Sequence, residues 1–290
     1  MRRRELLAGA LALRLKRHKL DEAVALIEKT AGVRAAVLRV QQGDFVLERA
    51  FGQARTPETV FLLASITKPM TVAGVMILAD RGQVRLSDPV RQYIPEFTGG
   101  DRDLVTVKHL LTHTSGLPDM LPQNVELRKR HAPLKDFVAG ACRTPLLFRP
   151  GSEVRYQSMG TLLAAEVVQR VTRMAIRDFL HQELFQPLGM RATSLGLGGR
   201  RIPDTAQCQV SGDDSWNWNS PYWRDLGAPW GGAHASAGDV ARFLHLFLHP
   251  DGRVLKRQTA RAMVTNQTAP LPRPWGLGWM LEPGTFGKRC

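Results

Sequence analysis

A serine and a lysine stand three positions apart at the start of one apolar segment. The segment, residues 61–82, reads FLLASITKPMTVAGVMILADRG, and the pair is Ser65 and Lys68. Residues three apart lie on one face of a helix, where their side chains can meet. The free backbone N–H groups and the positive dipole at a helix start favour an alkoxide on the serine. The same field, together with burial, would lower the pKa of the lysine so that it accepts a proton. The spacing is typical of nucleophilic catalysis by Ser65, but a pattern this short also arises by chance, so the rest of the chain has to decide between the two.

A tyrosine and a second serine follow a proline-glycine turn farther along the chain. This segment, residues 148–163, reads FRPGSEVRYQSMGTLL and carries Tyr156 and Ser158. A tyrosine beside a cationic lysine can lose its proton and act as a general base. The alternative is a loop tyrosine that bonds only to the backbone. Tyr156 is therefore a candidate catalytic residue only in combination with Ser65 and Lys68.

The apolar spacing predicts the elements that position these residues. A helix is expected over 20–32, followed by a hairpin of two strands, 34–40 and 44–52, joined at Gly43. From about 64 to 190 helical patterns alternate with turns and no strand is evident. A tryptophan-rich stretch then precedes a helix with Ser236 as its N-cap, and WGLGWMLE is predicted as one more strand.

This order of elements predicts a fold of the α/β (α+β) class. An antiparallel sheet flanked by helices is interrupted by an inserted all-helical lobe, with a cleft where the two meet. The predicted divisions are an N-terminal helix and first strands (1–64), a mostly helical domain (65–228) and a return to the α/β domain (229–290).

Six short segments follow one another in an order that is typical of one superfamily. They are LASITKPMT, LADRGQVRLSDPVRQYIPEF, LLTHTSGLPD, FRPGSEVRYQS, FQPLGM and GGAHASAGDVARFL, and they span most of 33–279. They resemble the serine β-lactamase and penicillin-binding-protein superfamily. Within it they are most similar to the branch of class C β-lactamases, D-alanyl-D-alanine carboxypeptidases and family VIII carboxylesterases. The resemblance implies a β-lactamase/transpeptidase-like fold.

The resemblance also implies roles for the residues of the site. Ser65 is then the nucleophile that becomes acylated, and Lys68 takes or relays its proton. Tyr156 corresponds to the tyrosine of the Y-x-N motif and acts as base on the serine or on the deacylating water. The division of this role between Lys68 and Tyr156 stays open. One N–H of the oxyanion hole would come from Ser65 itself.

The chain departs from the superfamily pattern at two places. The Y-x-N motif reads Tyr156-Gln157-Ser158, and a serine at the substrate-binding third position has a shorter reach than asparagine, which favours esters over amides. The K-T-G or H-x-G motif is not found; Lys288 is not followed by threonine and glycine. We therefore expect that motif and the C-terminal strands beyond Cys290, in a longer enzyme. Without one oxyanion donor, such a site loses about 100–1,000-fold in rate.

Histidines and tryptophans near these segments are further candidates. His113 is expected to be structural, because no G-x-S-x-G motif accompanies it. His234, in GGAHAS, is expected to border the cleft and bind substrate. Aromatic side chains can wall an acyl or aryl pocket or can simply pack a long loop. The tryptophans to which both readings apply are Trp216, Trp218, Trp223 and Trp230, of which Trp230 is taken as a substrate-binding candidate.

Composition and charge argue against several other functions. The net charge is +14, but the dense basic cluster is confined to the start and no nucleic-acid-binding motif accompanies it. We therefore expect no nucleic-acid partner. No apolar run reaches the roughly 18 residues of a membrane span. Zinc-protease, Walker A and dinucleotide patterns are absent and the three cysteines lack C-x-x-C spacing, so neither a metal nor a cofactor is expected.

The start of the chain leaves the compartment open. Arg2, Arg3 and Arg4 precede a short apolar run, which weakly resembles a twin-arginine export signal. The alternative is a basic segment that precedes a helix. Location in the bacterial cytoplasm and export to the periplasm therefore both remain possible compartments. The oligomeric state is not indicated.

Taken together, the sequence predicts a serine hydrolase that works through an acyl-enzyme on Ser65. A carboxylesterase acting on a small-molecule ester is favoured. A β-lactamase or a D-Ala-D-Ala carboxypeptidase is the alternative within the same chemistry. An inactive relative that binds acyl or cell-wall ligands without turnover is the alternative of another class.

Overall fold

The computed structural model describes residues 17–30, 32–210, 212 and 214–281, with side chains from Leu20 onward. The chain divides into two compact units, Met1–Thr59 and Val60–Cys290. The export-like start and the segment with Lys288 lie outside the described residues. The domain boundaries that the sequence predicts near residues 64 and 228 remain predictions.

In its described residues, from 17 onward, the first unit contains one helix and a hairpin. Helix α1 spans Arg17–Lys29, three residues ahead of the predicted range at each end. Strands β1 (Ala35–Gln42) and β2 (Phe45–Gly52) pair antiparallel, from Ala35 opposite Gly52 to Gln42 opposite Phe45. Gly43 takes the positive φ of 56° that this tight turn requires. The predicted hairpin is confirmed.

The second unit is mostly helical. Its helices are α2 (Thr67–Asp80), α3 (Val107–Leu111), α4 (Asn124–Lys129), α5 (Leu134–Arg143), α6 (Ser158–Thr172), α7 (Ile176–Leu180), α8 (Pro221–Leu226), α9 (Ala237–Leu248) and α10 (Arg257–Met263). Short 3₁₀ turns and one π-helical turn, His181–Phe185, connect them. The predicted N-cap of α9 is present, because the Ser236 side chain accepts a hydrogen bond from the Asp239 N–H.

Helix α2 forms the centre of this unit. Its side chains from Met70 to Leu78 are buried, so the helix is enclosed on all sides rather than lying on the surface. Gly74 allows the close approach of α7, since a Cβ atom there would lie 2.9 Å from Leu180. The core thus fixes the axis of α2, and with it the position of the residues at its first turn.

A small antiparallel sheet lies beside the start of α2. Its strands are β3 (Phe61–Leu62), β4 (Ser194–Leu195) and β5 (Ala233–Ala235), with β5 in the middle. His234 pairs with Leu62 on one side and with Ser194 on the other. Strand β3 leads directly into the segment that carries Ser65.

The strand predicted for WGLGWMLE is not formed in the described residues. Trp275 and Met280 make only an isolated antiparallel bridge. The reason is a tight reversal between them, in which the Gly276 N–H donates to the Trp279 carbonyl at 2.8 Å. Gly278 has a φ of 79°, which an extended strand does not allow.

Candidate active site

Ser65 lies in a short 3₁₀ turn between β3 and α2. The turn spans Ala64–Ile66, and Ser65 is exposed. Ala64 adopts a φ of 48°, in the left-handed region that residues with a Cβ atom rarely occupy. Backbone strain of this kind is concentrated at functional sites. The turn leaves the serine hydroxyl accessible at the end of a buried helix.

Lys68 reaches back to this serine from the first turn of α2. Its side chain is only 3% exposed, and its Nζ donates hydrogen bonds to Ser65 Oγ at 3.2 Å and to the Trp230 carbonyl at 3.0 Å. Burial lowers the pKa of Lys68 to about 8, and the negative charge of Asp119 opposes this shift. The lysine therefore has a substantial neutral population near pH 8 and can accept a proton.

The segment 228–233 holds the start of α2 in place. Thr71 donates to the Pro229 carbonyl at 2.6 Å, and the Ala233 N–H donates to Thr67 Oγ1 at 3.0 Å. The Trp230 ring is buried against Phe137. Trp230 thus meets Lys68 through its backbone carbonyl, while its indole packs in the core.

Tyr156 approaches the same serine from the loop before α6. Its hydroxyl is hydrogen-bonded to Ser65, and its ring centroid lies 4.6 Å from Lys68 Nζ. Burial raises the pKa of Tyr156, the Ser65 hydrogen bond opposes this and Asp119 adds to it. The raised pKa makes the phenol, rather than the phenolate, the form present near neutral pH. The structure therefore brings Ser65, Lys68 and Tyr156 into mutual contact.

His113 supports the tyrosine rather than contacting Ser65. Its ring lies 4.9 Å from that of Tyr156, and its Nδ1 accepts a hydrogen bond from the Gln157 N–H at 3.2 Å. Burial, with a smaller contribution from Lys68, lowers the pKa of His113 to about 3. The ring is therefore neutral, in keeping with the structural role expected for it.

Ser158 does not point free into solvent. It is buried at the start of α6, and its hydroxyl donates to Asp119 Oδ1 at 2.6 Å. Asp119 follows the irregular segment Ser115–Pro118 and is exposed. Sequence reasoning did not single out this aspartate, although it ends the quoted segment LLTHTSGLPD. Its nearness to the site depends on a contact 39 positions apart in the chain, which spacing does not reveal.

His234 differs from its expected position at the border of a cleft. Its side chain is fully buried in β5, and its Nε2 faces the Arg224 guanidinium at 3.4 Å. Because arginine has no acceptor, Nε2 must be the accepting nitrogen in this pair. Burial, and secondarily Arg224, lowers the pKa of His234 to about 4. The side chain therefore lies in the interior beside the sheet and not at the border of a cleft.

The other tryptophans are largely engaged within the second unit. The Arg128 guanidinium lies 4.8 Å from the Trp216 ring and 4.0 Å from the Trp223 ring. The buried Arg224 donates to the Trp218 carbonyl at 2.7 Å, whereas the Trp218 side chain is 50% exposed. These contacts agree better with packing of the loop than with a continuous aromatic wall.

The described ranges contain neither a cluster of metal-ligating side chains nor a membrane-spanning helix. No group of three histidine, cysteine, aspartate or glutamate side chains is placed to hold a metal ion there. Over the same ranges, no helix has the length and apolarity to cross a membrane.

The fold and this centre define a class of protein: a β-lactamase/transpeptidase-like fold with serine, lysine and tyrosine meeting at the start of a buried helix. The family described as Beta-lactamase matches residues 20–289, and the chain belongs to that family. The resemblance and the fold class predicted from the sequence are thereby confirmed.

Similar proteins include an esterase and penicillin-binding proteins. The chain is 33% identical over 192 residues to esterase EstB of Burkholderia gladioli, covering 61% of this chain and 47% of EstB. It is 32% identical over 168 residues to a penicillin-binding protein of Bacillus subtilis (strain 168), covering 54% of this chain and 37% of that protein. The chain thus matches less than half of the length of these two relatives.

A solved structure supports the same fold. The octameric penicillin-binding protein homologue from Pyrococcus abyssi superposes with a TM-score of 0.74 at 21% identity. The superposition covers 91% of this chain and 64% of that chain. At this identity the likeness concerns the fold alone.

Proposed function

We propose that the chain is a serine hydrolase that forms an acyl-enzyme on Ser65, and that its substrates are carboxylic esters. The observation that carries this proposal is the hydrogen bond between the buried Lys68 and the exposed Ser65, 3.2 Å long, with Tyr156 bonded to the same serine. A surface serine without such partners is a poor nucleophile, because its hydroxyl holds its proton at neutral pH.

The path of the proton follows from the lowered pKa of Lys68 and the raised pKa of Tyr156. Neutral Lys68 accepts the Ser65 hydroxyl proton while Oγ attacks the ester carbonyl carbon. The carbonyl oxygen becomes an oxyanion, for which the Ser65 N–H is one proposed donor. The proton then passes to the departing alkoxide through Tyr156, whose phenol can donate one proton and regain another from Lys68. The ester C–O bond breaks, and an alcohol leaves.

Deacylation repeats the route with water. A water molecule gives a proton to the Lys68–Tyr156 pair as it attacks the acyl carbon, and Ser65 Oγ recovers a proton as it leaves. The products are a carboxylic acid and the restored serine. This assignment makes Lys68 the base and Tyr156 the relay, which is the division that the sequence left open.

Esters are favoured over amides because of Ser158. Its hydroxyl proton is donated to Asp119 at 2.6 Å and the residue is only 2% exposed, so neither the proton nor the oxygen is available to an amide group of a substrate. An ester presents no N–H and needs no such partner. The similarity to EstB, whose name identifies it as an esterase, supports the same preference.

A β-lactam or a D-Ala-D-Ala peptide is the second candidate. The similarity to the penicillin-binding protein of Bacillus subtilis favours it. Acylation of Ser65 by a β-lactam uses the same three side chains, so the two candidates differ in substrate and not in nucleophile.

Paired hydrolysis assays test the proposal. The expected result is turnover of p-nitrophenyl butyrate with little or no turnover of nitrocefin, and loss of ester turnover in Ser65→Ala. Ser152→Ala is the matched control, because this exposed serine only donates to the Arg149 carbonyl within its own turn. Faster turnover of nitrocefin would favour the second candidate. A burst of one equivalent without turnover would identify a binding protein instead of a hydrolase.

A further inference from the structure

Asp119 places a carboxylate beside the catalytic centre. Ser158 holds it by the 2.6 Å hydrogen bond, and Ser158 lies only two residues after Tyr156, whose hydroxyl meets Ser65. The aspartate is exposed, so a molecule that approaches Ser65 can reach it. The carboxylate is therefore fixed to the start of α6, two residues after Tyr156.

The charge of Asp119 is not matched by a basic neighbour. In the part of the chain that the structure describes, no lysine, arginine or histidine forms an ion pair with it. Burial is the main cause of the lowered pKa of Lys68 and of the raised pKa of Tyr156; the negative charge of Asp119 opposes the first shift and adds to the second, in keeping with its position near both groups.

We propose that Asp119 makes the site select acyl groups that carry a positive charge near the scissile carbonyl. This inference rests on the proposed ester hydrolysis and adds the substrate class. A cationic acyl group is attracted by a carboxylate that has no ion-pair partner, and an anionic one is repelled. When Lys68 is neutral and ready to act as base, it adds no positive charge that would cancel this preference.

An isosteric pair of substrates isolates the charge. The p-nitrophenyl esters of 4-(trimethylammonio)butanoic acid and of 5,5-dimethylhexanoic acid have the same shape and leaving group and differ only in one positive charge. The expected ratio of their kcat/KM values, cationic over neutral, is about tenfold above the ratio for alkaline hydrolysis at low ionic strength. The preference should reside in KM and shrink in 0.5 M salt, since mobile ions screen exposed charges.

Asp119→Asn should abolish this preference. The substitution also changes the environment of Lys68, but that effect is common to both esters and cancels in the ratio. Asp101→Asn is the matched control, because Asp101 is exposed and is not among the groups that shift the pKa of Lys68 or Tyr156. A ratio that is the same in wild type and Asp119→Asn overturns the proposal and leaves Asp119 as a support for Lys68 only.

A binding measurement separates failure of this inference from failure of the proposed function. In the Ser65→Ala background, calorimetry compares 4-(trimethylammonio)butanamide with 5,5-dimethylhexanamide. We expect the cationic amide to bind about tenfold more tightly, and this difference to vanish when Asp119→Asn is added. Absence of ester hydrolysis with this binding difference intact refutes only the hydrolase. Equal binding of the two amides refutes charge selection by Asp119.

Discussion

Lys68 Nζ lies 3.2 Å from Ser65 Oγ and donates a hydrogen bond to it from a position that is almost completely buried. Burial of an amine disfavours its charged form, so the surroundings that enclose α2 also turn Lys68 into a base. The exposed turn at Ser65 thus leaves the serine accessible to a substrate. The buried lysine behind it accepts the proton that the serine loses.

Replacing Lys68 by methionine should remove ester hydrolysis and preserve the fold. We expect kcat to fall by about 100- to 10,000-fold, the usual contribution of a positioned base. The melting temperature should stay equal or rise, because methionine fills the same space without a buried amine. Steady-state kinetics and thermal unfolding measure both effects. Lys135→Met, at an exposed lysine, is the control; comparable losses in the two variants would contradict the assignment.

Tyr156→Phe should impair catalysis through the loss of one hydroxyl. The phenylalanine ring keeps the 4.9 Å contact with His113, so the loop should remain in place. We expect kcat to decrease by about 100-fold or more with a small change in KM. Tyr222→Phe is the matched control, since its hydroxyl only donates to the Ala132 carbonyl at 2.9 Å. A Tyr156→Phe enzyme within threefold of wild type would exclude a role for the phenol in proton transfer.

The rate of neutral ester hydrolysis should rise with pH. Lys68 must be neutral to accept a proton and its pKa is about 8, so kcat/KM should increase from pH 6 and level off above pH 9. Asp119→Asn removes a charge that raises this pKa, so the midpoint should move to lower pH. Initial rates from pH 6 to 10 measure it. A midpoint that moves upward, or a rate that declines between pH 7 and 9, is incompatible with a lysine base.

The folded state should lose stability in mild acid because of two buried histidines. The pKa values of His113 and His234 are about 3 and about 4, so both stay neutral in the folded chain at pH 5, where a histidine in the unfolded chain binds a proton. Stability is therefore present above the unfolded pKa near 6.5 and is lost as the pH falls below it. Each histidine lowers the free energy of unfolding by about 2 kcal/mol between pH 7 and pH 5.

Urea unfolding of His113→Gln at the two pH values tests this account. The loss of stability between pH 7 and pH 5 should be about 2 kcal/mol smaller than in wild type. His245→Gln, at an exposed histidine, should leave the loss unchanged. An unchanged pH dependence in His113→Gln would mean that His113 is not held neutral in the folded chain.

Sequence reasoning located Ser65 and Lys68 from local spacing, and Tyr156 from the resemblance of its segment to a family motif. Ser65 and Lys68 are three residues apart on a helix start, and the hairpin turn at Gly43 needs only a local conformation that glycine allows. Hydrophobic spacing likewise located α2 and α9, because the periodicity of a helix can be recognised within a single segment of the sequence.

The parts that it did not locate depend on contacts between distant segments. Asp119 reaches the site through Ser158, and Lys68 bonds to a backbone carbonyl 162 positions away, at Trp230. Every residue has a backbone carbonyl, so the type of residue 230 does not reveal that its carbonyl accepts this hydrogen bond. His234 was expected near a cleft because of its segment, but alternation within the short strand β5 does not distinguish the interior from a cleft wall.

The most direct test of the central claim is peptide-mapping mass spectrometry after reaction with a fluorophosphonate probe. The account predicts one adduct per chain, located on Ser65, absent from Ser65→Ala and formed at least about 100-fold more slowly in Lys68→Met. An unmodified Ser65 in folded wild-type protein, or equal labelling of Ser65 in wild type and Lys68→Met, would contradict it.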